Sequence, residues 1–237
     1  MKKSDFKKGA LAGSKYDLFE QRTPWYAEVQ QQVGKTLAKK MTGIKRPRIL
    51  EIGCGTGATT EQIMHYVPHC KLAAIDSSQN MLSEAMARVP SKHIDWIHAD
   101  ALELFSARRP KWLDEFDAIV SVMAIHNFAP EERRRLFQHL FLYLKENAWV
   151  INADVYACDD ELQHIRDLTD HIIGMDRFRD RPAYRRKWLT HILEDEAIKF
   201  TRKEQREYVA GTEFRHRSFK SITPIISLFT VQFSIAD

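Results

Sequence analysis

The chain has 237 residues, 44% apolar and 29% charged, with a formal charge of +4. That length admits one α/β domain with a sizeable core, or one domain with a modest cap. The composition is that of an ordinary soluble protein, no apolar run reaches the length of a membrane span, and the charge is too small to demand a polyanionic partner.

The opening Met1 to Lys8 is cationic but lacks the apolar stretch of a signal peptide, and reads as a solvated tail. Cys54, Cys70 and Cys158 form neither a metal-like pair nor an even disulfide set, so no metal is expected and a cytoplasmic location is. Over residues 14–41, Tyr16, Phe19, Trp25, Tyr26, Val29, Val33 and Leu37 recur at three- and four-residue steps, interrupted at Pro24. Two readings stay open for this helical segment. It packs on the domain as an amphipathic element, or it is a lid that brings Tyr16, Arg22, Trp25 and Tyr26 over a pocket.

The run Arg48 to Ala58 organises the rest of the chain. Ile49 to Ile52 reads as a buried parallel strand, Gly53, Gly55 and Gly57 as a turn, and Ala58 to Val67 as a helix stopped at Pro68. Glycine has no Cβ, so such a turn lets the backbone approach a nucleotide closely. Gly53, Gly55 and Ala58 match dinucleotide spacing. Glu51 argues against a pyrophosphate, which it would repel, and for a cofactor carrying an ammonium and a sulfonium. Cys54 is read as a small side chain beneath that cofactor.

Lys71 to Asp76 is the second strand, and Asp76 at its end is suited to hydrogen-bond both hydroxyls of a ribose. Ser77 comes next, and Met81 to Val89 reads as a helix. Ile94 to Ala101 is a third strand with Asp100 near its end. Three strands closing on Glu51, Asp76 and Asp100 put acids where open α/β sheets bind ligands. Phe116 to Phe128 is the fourth strand with its exit loop; Ser121 lies at the strand's end, and Asp114 and Asp117 read as caps or surface groups. His126 is the titratable group best placed as a general base, or it is a structural histidine holding the loop.

A helix from Pro130 to Leu144 buries Leu136, Phe137, Leu140, Phe141 and Leu144, with Arg133 to Arg135 on a solvated face. In the turn before the fifth strand, Trp149 to Tyr156, Asn147 would take a positive φ. Residues 159–207 are helical and highly charged, an insert whose Tyr184 and Arg186 lie in a basic, aromatic section. That section is a salt-bridged surface or an anionic-substrate site. Glu213 to Ile222 and Ile225 to Ile235 read as an antiparallel pair.

The motif Glu51-x-Gly53-x-Gly55-x-Gly57, succeeded by Asp76-Ser-Ser-Gln-Asn-Met81-Leu, resembles the class I S-adenosylmethionine-dependent methyltransferases of small molecules. The likeness is good over residues 45–156. It implies a Rossmann-like, seven-stranded, mostly parallel doubly wound sheet with an antiparallel C-terminal pair. It implies S-adenosylmethionine as cofactor, with the glycine loop under its methionine and ribose. Met81 would pack on adenine, Asp100 or its neighbour Ala101 would read the adenine amino group, and Ser121 would border the sulfonium. Residues 1–44 would be a lid contributing Tyr16 and Arg22, 45–156 the cofactor core, 157–210 the helical insert and 211–237 the terminal strands. Trp25, Tyr26, Tyr184 and Arg186 would face a small methyl acceptor. The oligomeric state stays open, a homodimer included.

The same residues bear on other classes. Gln21-Arg22-Thr23-Pro24-x-Tyr26 with Arg186 has a fainter resemblance to carboxy-S-adenosylmethionine synthases. Ala124-Ile-His-Asn-Phe-Ala replaces the Asn/Asp-Pro-Pro-Tyr/Phe run of base-modifying RNA methyltransferases, which disfavours that class. The intact acids and glycines argue against a non-catalytic cofactor-binding subunit, and Glu51 and Gly57 argue against hydride transfer with a dinucleotide.

Overall fold

A computed structural model describes residues 25–106, 115–174, 190, 192–193, 196–210 and 213–234. Among them the chain runs α1 (Tyr26–Lys40), β1 (Arg48–Ile52), α2 (Ala58–Tyr66), β2 (Lys71–Asp76), α3 (Gln79–Arg88), β3 (Ile94–His98) and α4 (Ala101–Ser106). It continues with β4 (Phe116–Val122), α5 (Pro130–Leu140), β5 (Leu144–Val155), α6 (Glu161–Gly174), α7 (Arg202–Tyr208), β6 (Phe214–Ser221) and β7 (Ile226–Phe233). The seven strands form one sheet in the order β3-β2-β1-β4-β5-β7-β6. The first five are mutually parallel, and β7 is antiparallel to both its neighbours.

Strand periodicity sorts the core into two layers, because successive side chains leave a strand on opposite faces. Leu50 and Ile52 of β1 join Phe105, Leu136, Phe137 and Leu140 of α4 and α5 on one face. Ile49 joins Val29, Val33 and Leu37 of α1, Ile63 of α2 and Leu82 of α3 on the other. Glu51 shares the parity of Ile49, so its carboxylate is delivered beneath α2. Helices α1 and α2 lie close because Gly34 leaves room for Tyr66, whose ring a Cβ there would meet at 2.5 Å.

Several expectations are corrected in detail. The third strand ends at His98, and Asp100 stands beyond it because its Oδ1 accepts the Leu102 N–H at 2.9 Å at the start of α4. Helix α3 begins at Gln79, where the Ser78 hydroxyl accepts the Met81 N–H. Asp117 lies within β4, accepting the Arg48 N–H at 2.7 Å and the Lys145 ammonium at 2.8 Å. It is therefore a buried tie across the foot of the sheet, while Asp114 lies outside the described residues. Helix α5 stops at Leu140 and a 3-10 turn, Phe141–Tyr143, carries the chain into a longer β5. Asn147 does take a positive φ, at 63°.

Candidate cofactor and acceptor site

The three glycines share positive φ values of 71°, 54° and 85°, yet they face different surroundings. A Cβ on Gly53 would meet that of Ala124 at 2.5 Å, and one on Gly57 would meet Ala85 at 3.0 Å. Nothing lies within 4 Å of the corresponding position on Gly55. The first and third glycines thus close the turn against the exit of β4 and against α3, while the middle one faces open space. The turn is held on β2: the N–H groups of Gly53 and Cys54 both donate to the Ile75 carbonyl.

Asp76 completes the cradle, its Oδ2 accepting the Gly55 N–H and its Oδ1 the Ser78 N–H, both at 2.8 Å. A carboxylate oxygen has two lone pairs, so a ligand hydroxyl can be accepted alongside each of these bonds. Ser77 is exposed and its carbonyl meets His98 Nε2 at 3.1 Å. Met81 and Ala101 are buried beside the ends of β2 and β3, and the Ser121 hydroxyl donates to the Ile52 carbonyl at 3.1 Å.

Glu51 is 1% exposed; its Oε2 accepts the Thr60 hydroxyl at 2.7 Å, and its Oε1 is buried without a hydrogen-bond partner. Burial pushes its pKa up to about 8; the Thr60 bond opposes the rise and the Asp76 charge adds to it. A buried carboxylate oxygen left unpaired costs about 1–3 kcal/mol, more when charged, so it fits a cationic ligand group. Beside it the Cys54 thiol is raised by burial, with Glu51 and Asp76 adding to the rise, so it is a packing group rather than a nucleophile.

Beyond β4 the backbone is strained: Met123 has a φ of 52°, a left-handed value unusual for a long side chain. His126 comes next on a 3-10 turn, 6% exposed. Its Nδ1 meets Asp154 Oδ1 at 2.5 Å, its backbone N–H donates to Asp154 Oδ2 at 3.1 Å, and the Asn127 amide reaches Nε2 at 3.1 Å. Neither Asp154 nor Asn127 was singled out in the sequence. An acid at the end of β5, matching those that close β1 and β2, was the available signal.

Trp25 and His171 bring the entry to α1 together with α6, ring centroids 5.5 Å apart. Burial lowers the His171 pKa to about 4. Tyr26 is buried at the start of α1. Tyr16, Arg22, Tyr184 and Arg186 lie outside the described residues. No group of three or more His, Cys, Asp or Glu among the described residues has the arrangement of a metal site, and no described helix is long and apolar enough to cross a membrane.

A family model described as a methyltransferase domain matches residues 49–147. The malonyl-[acyl-carrier protein] O-methyltransferase of Paenibacillus sp. (strain JDR-2) is 32% identical over 137 residues, 53% of this chain and 47% of that protein. The carboxy-S-adenosyl-L-methionine synthase of Photobacterium profundum is 24% identical over 152 residues, 62% of this chain and 59% of that one. The chain spans about half the length of the first of these relatives. Plantazolicin methyltransferase BpumL, solved in complex with SAH, superimposes with a TM-score of 0.66 at 16% identity, covering 94% of this chain and 88% of that one. Residues 49–147 thus match a methyltransferase domain, and the strand order and overall superposition give the chain the fold of Rossmann-like methyltransferases.

Proposed function

We propose that this protein transfers a methyl group from S-adenosylmethionine to a small-molecule acceptor. The observation that carries the reading is the unpaired, buried Glu51 Oε1 beside a glycine turn that is open at Gly55. When bound, the cofactor supplies an electrophilic methyl on a cationic sulfonium. Glu51 holds the cationic end, Gly53, Cys54, Gly55 and Gly57 line the close approach, and Asp76 with Ser77 receives the ribose. Met81, Asp100 and Ala101 bound the adenine position, and Ser121 the sulfonium. Tyr16 and Arg22, outside the described residues, are assigned to the cofactor, and residues 1–44 to a lid, on the sequence.

The core is 45–156, the insert 157–210, and the terminal strands 211–237. Trp25 and Tyr26 with Tyr184 and Arg186 wall the acceptor side; the Trp25–His171 contact supports this, since it joins lid and insert. His126 takes the acceptor's proton. The chemistry asks mainly for positioning and exclusion of water, which two converging helical segments provide. Nucleic acid is not an expected partner.

Calorimetric titration with S-adenosylmethionine, S-adenosylhomocysteine and NAD tests the reading. Micromolar binding of the two sulfur compounds without NAD is the expected result, with Glu51→Ala weakening both. Binding of NAD alone would overturn it.

A further inference from the structure

We propose that Asp154 is a positioning residue for His126, and that the acceptor therefore carries a hydroxyl or amine proton rather than an ionised carboxylate. This rests on the methyl-transfer reading above.

Asp154 is fully buried at the end of β5, on the sheet face opposite Ile151 and Ala153. Its two oxygens take three N–H groups: the His126 backbone and Nδ1, and the backbone of Val155 at 3.0 Å. Here both the backbone and the ring of the same residue are gripped, which fixes ring position and tautomer together. With the Nδ1–H donating to the carboxylate, Nε2 carries the lone pair, consistent with the Asn127 amide donating to it. Asn127 is exposed, so that amide can yield its place to an acceptor. The dyad stands where β4 leaves the sheet, three residues past the turn at Met123 and next to Ala124, which packs on Gly53.

Asp154 faces His126 from β5; behind it Arg133 of α5 and Tyr156 feel the Asp154 charge, and Glu204 and Tyr208 of α7 stand against Arg133. A carboxylate beside an imidazole stabilises the imidazolium. In the reaction a lone pair on the acceptor's hydroxyl oxygen or neutral amine nitrogen bonds the methyl carbon, and the carbon–sulfur pair stays on sulfur, leaving S-adenosylhomocysteine. The acceptor's O–H or N–H proton moves to Nε2, its bonding pair staying on the oxygen or nitrogen. An ionised carboxylate acceptor has no proton to give, and the dyad would be idle.

The test is transfer of labelled methyl from S-adenosylmethionine to a panel of phenols, primary alcohols, amines and carboxylic acids, with calorimetry in parallel. Product methylated on a hydroxyl or amine is expected. Transfer to carboxylates alone, or to no hydroxyl or amine member while S-adenosylmethionine still binds, would overturn the assignment. Failure of S-adenosylmethionine to bind would instead remove the reading beneath it.

With the accepted substrate, Asp154→Asn should lower kcat by about 10²-fold with KM nearly unchanged, and shift the acidic limb of the kcat profile to lower pH. Asp154→Glu should restore part of the rate. His126→Gln, which keeps the backbone bond to Asp154, should abolish that limb and gives a second variant should Asp154→Asn not fold. An unmoved limb in Asp154→Asn, or an unchanged rate in His126→Gln, would reduce Asp154 to a fold-holding group.

Discussion

At the level of single residues, the glycine turn separates stability from binding. Gly53→Ala should cost roughly 2 kcal/mol or more by urea denaturation, because the new methyl meets Ala124 on a left-handed backbone. Gly55→Ala should cost only about 1 kcal/mol yet weaken S-adenosylmethionine binding more, since its methyl enters open space. The two glycines look alike in the sequence, and only the strands packed around them tell them apart. Glu51 gives a pH signature. Its folded pKa of about 8 stands above the ordinary 4.5, so the folded protein keeps a proton that the unfolded chain releases. That contribution is complete below about 4.5 and is lost as pH rises to about 8. The melting temperature of the free protein should fall across this interval, with a shallower slope in Glu51→Gln. Affinity for S-adenosylmethionine should rise over the same interval, with proton release seen by calorimetry in buffers of different ionisation enthalpy.

Among the elements, α5 shows both how much the sequence reveals and where it misleads. Its apolar stripe, Leu136, Phe137 and Leu140, was legible from spacing and is buried as expected. Arg133 to Arg135 read as a solvated run, and Arg134 and Arg135 are exposed. Arg133 is fully buried: it donates to the Phe128 carbonyl at 2.8 Å, pairs with Glu204 at 3.1 Å and stacks on Phe200 at 4.5 Å. Residue 133 precedes 136, 137 and 140 by three, four and seven positions, so helical phase already put it on the inner face. Charge hid it. What could not be read was its partner, since Glu204 lies 71 residues away on α7. Arg133→Met should destabilise by about 3 kcal/mol in denaturant, and Glu204→Leu on that background should recover part of the loss. In β5, Asn147→Gly should be neutral or slightly stabilising, whereas Asn147→Val should cost about 1 kcal/mol, because only the former accepts φ 63° without strain.

For the molecule as a whole, ligand linkage offers the broadest check. S-adenosylhomocysteine at one hundred times its Kd should add about 2.7 kcal/mol. For a domain of this size that raises the melting temperature by roughly 5–10 °C. NAD should give no rise. The glycine turn, and the acids Glu51 and Asp76 near the ends of β1 and β2, were legible because each is set by a local strand-turn-helix signal. The packing of Trp25 on His171 was not, because the two rings meet across more than half the chain. The strand order carries a different consequence, for biosynthesis. β7 sits between β5 and β6 although β6 is made first. Until that hairpin is finished and inserted, a nascent chain displays the long, apolar β5 as a bare edge, ready to pair with another copy. Substitutions at the hairpin corner, where the Thr223 hydroxyl accepts the Ile226 N–H at 3.0 Å, should therefore surface first as insoluble protein in the cell, with normal catalysis in whatever escapes aggregation.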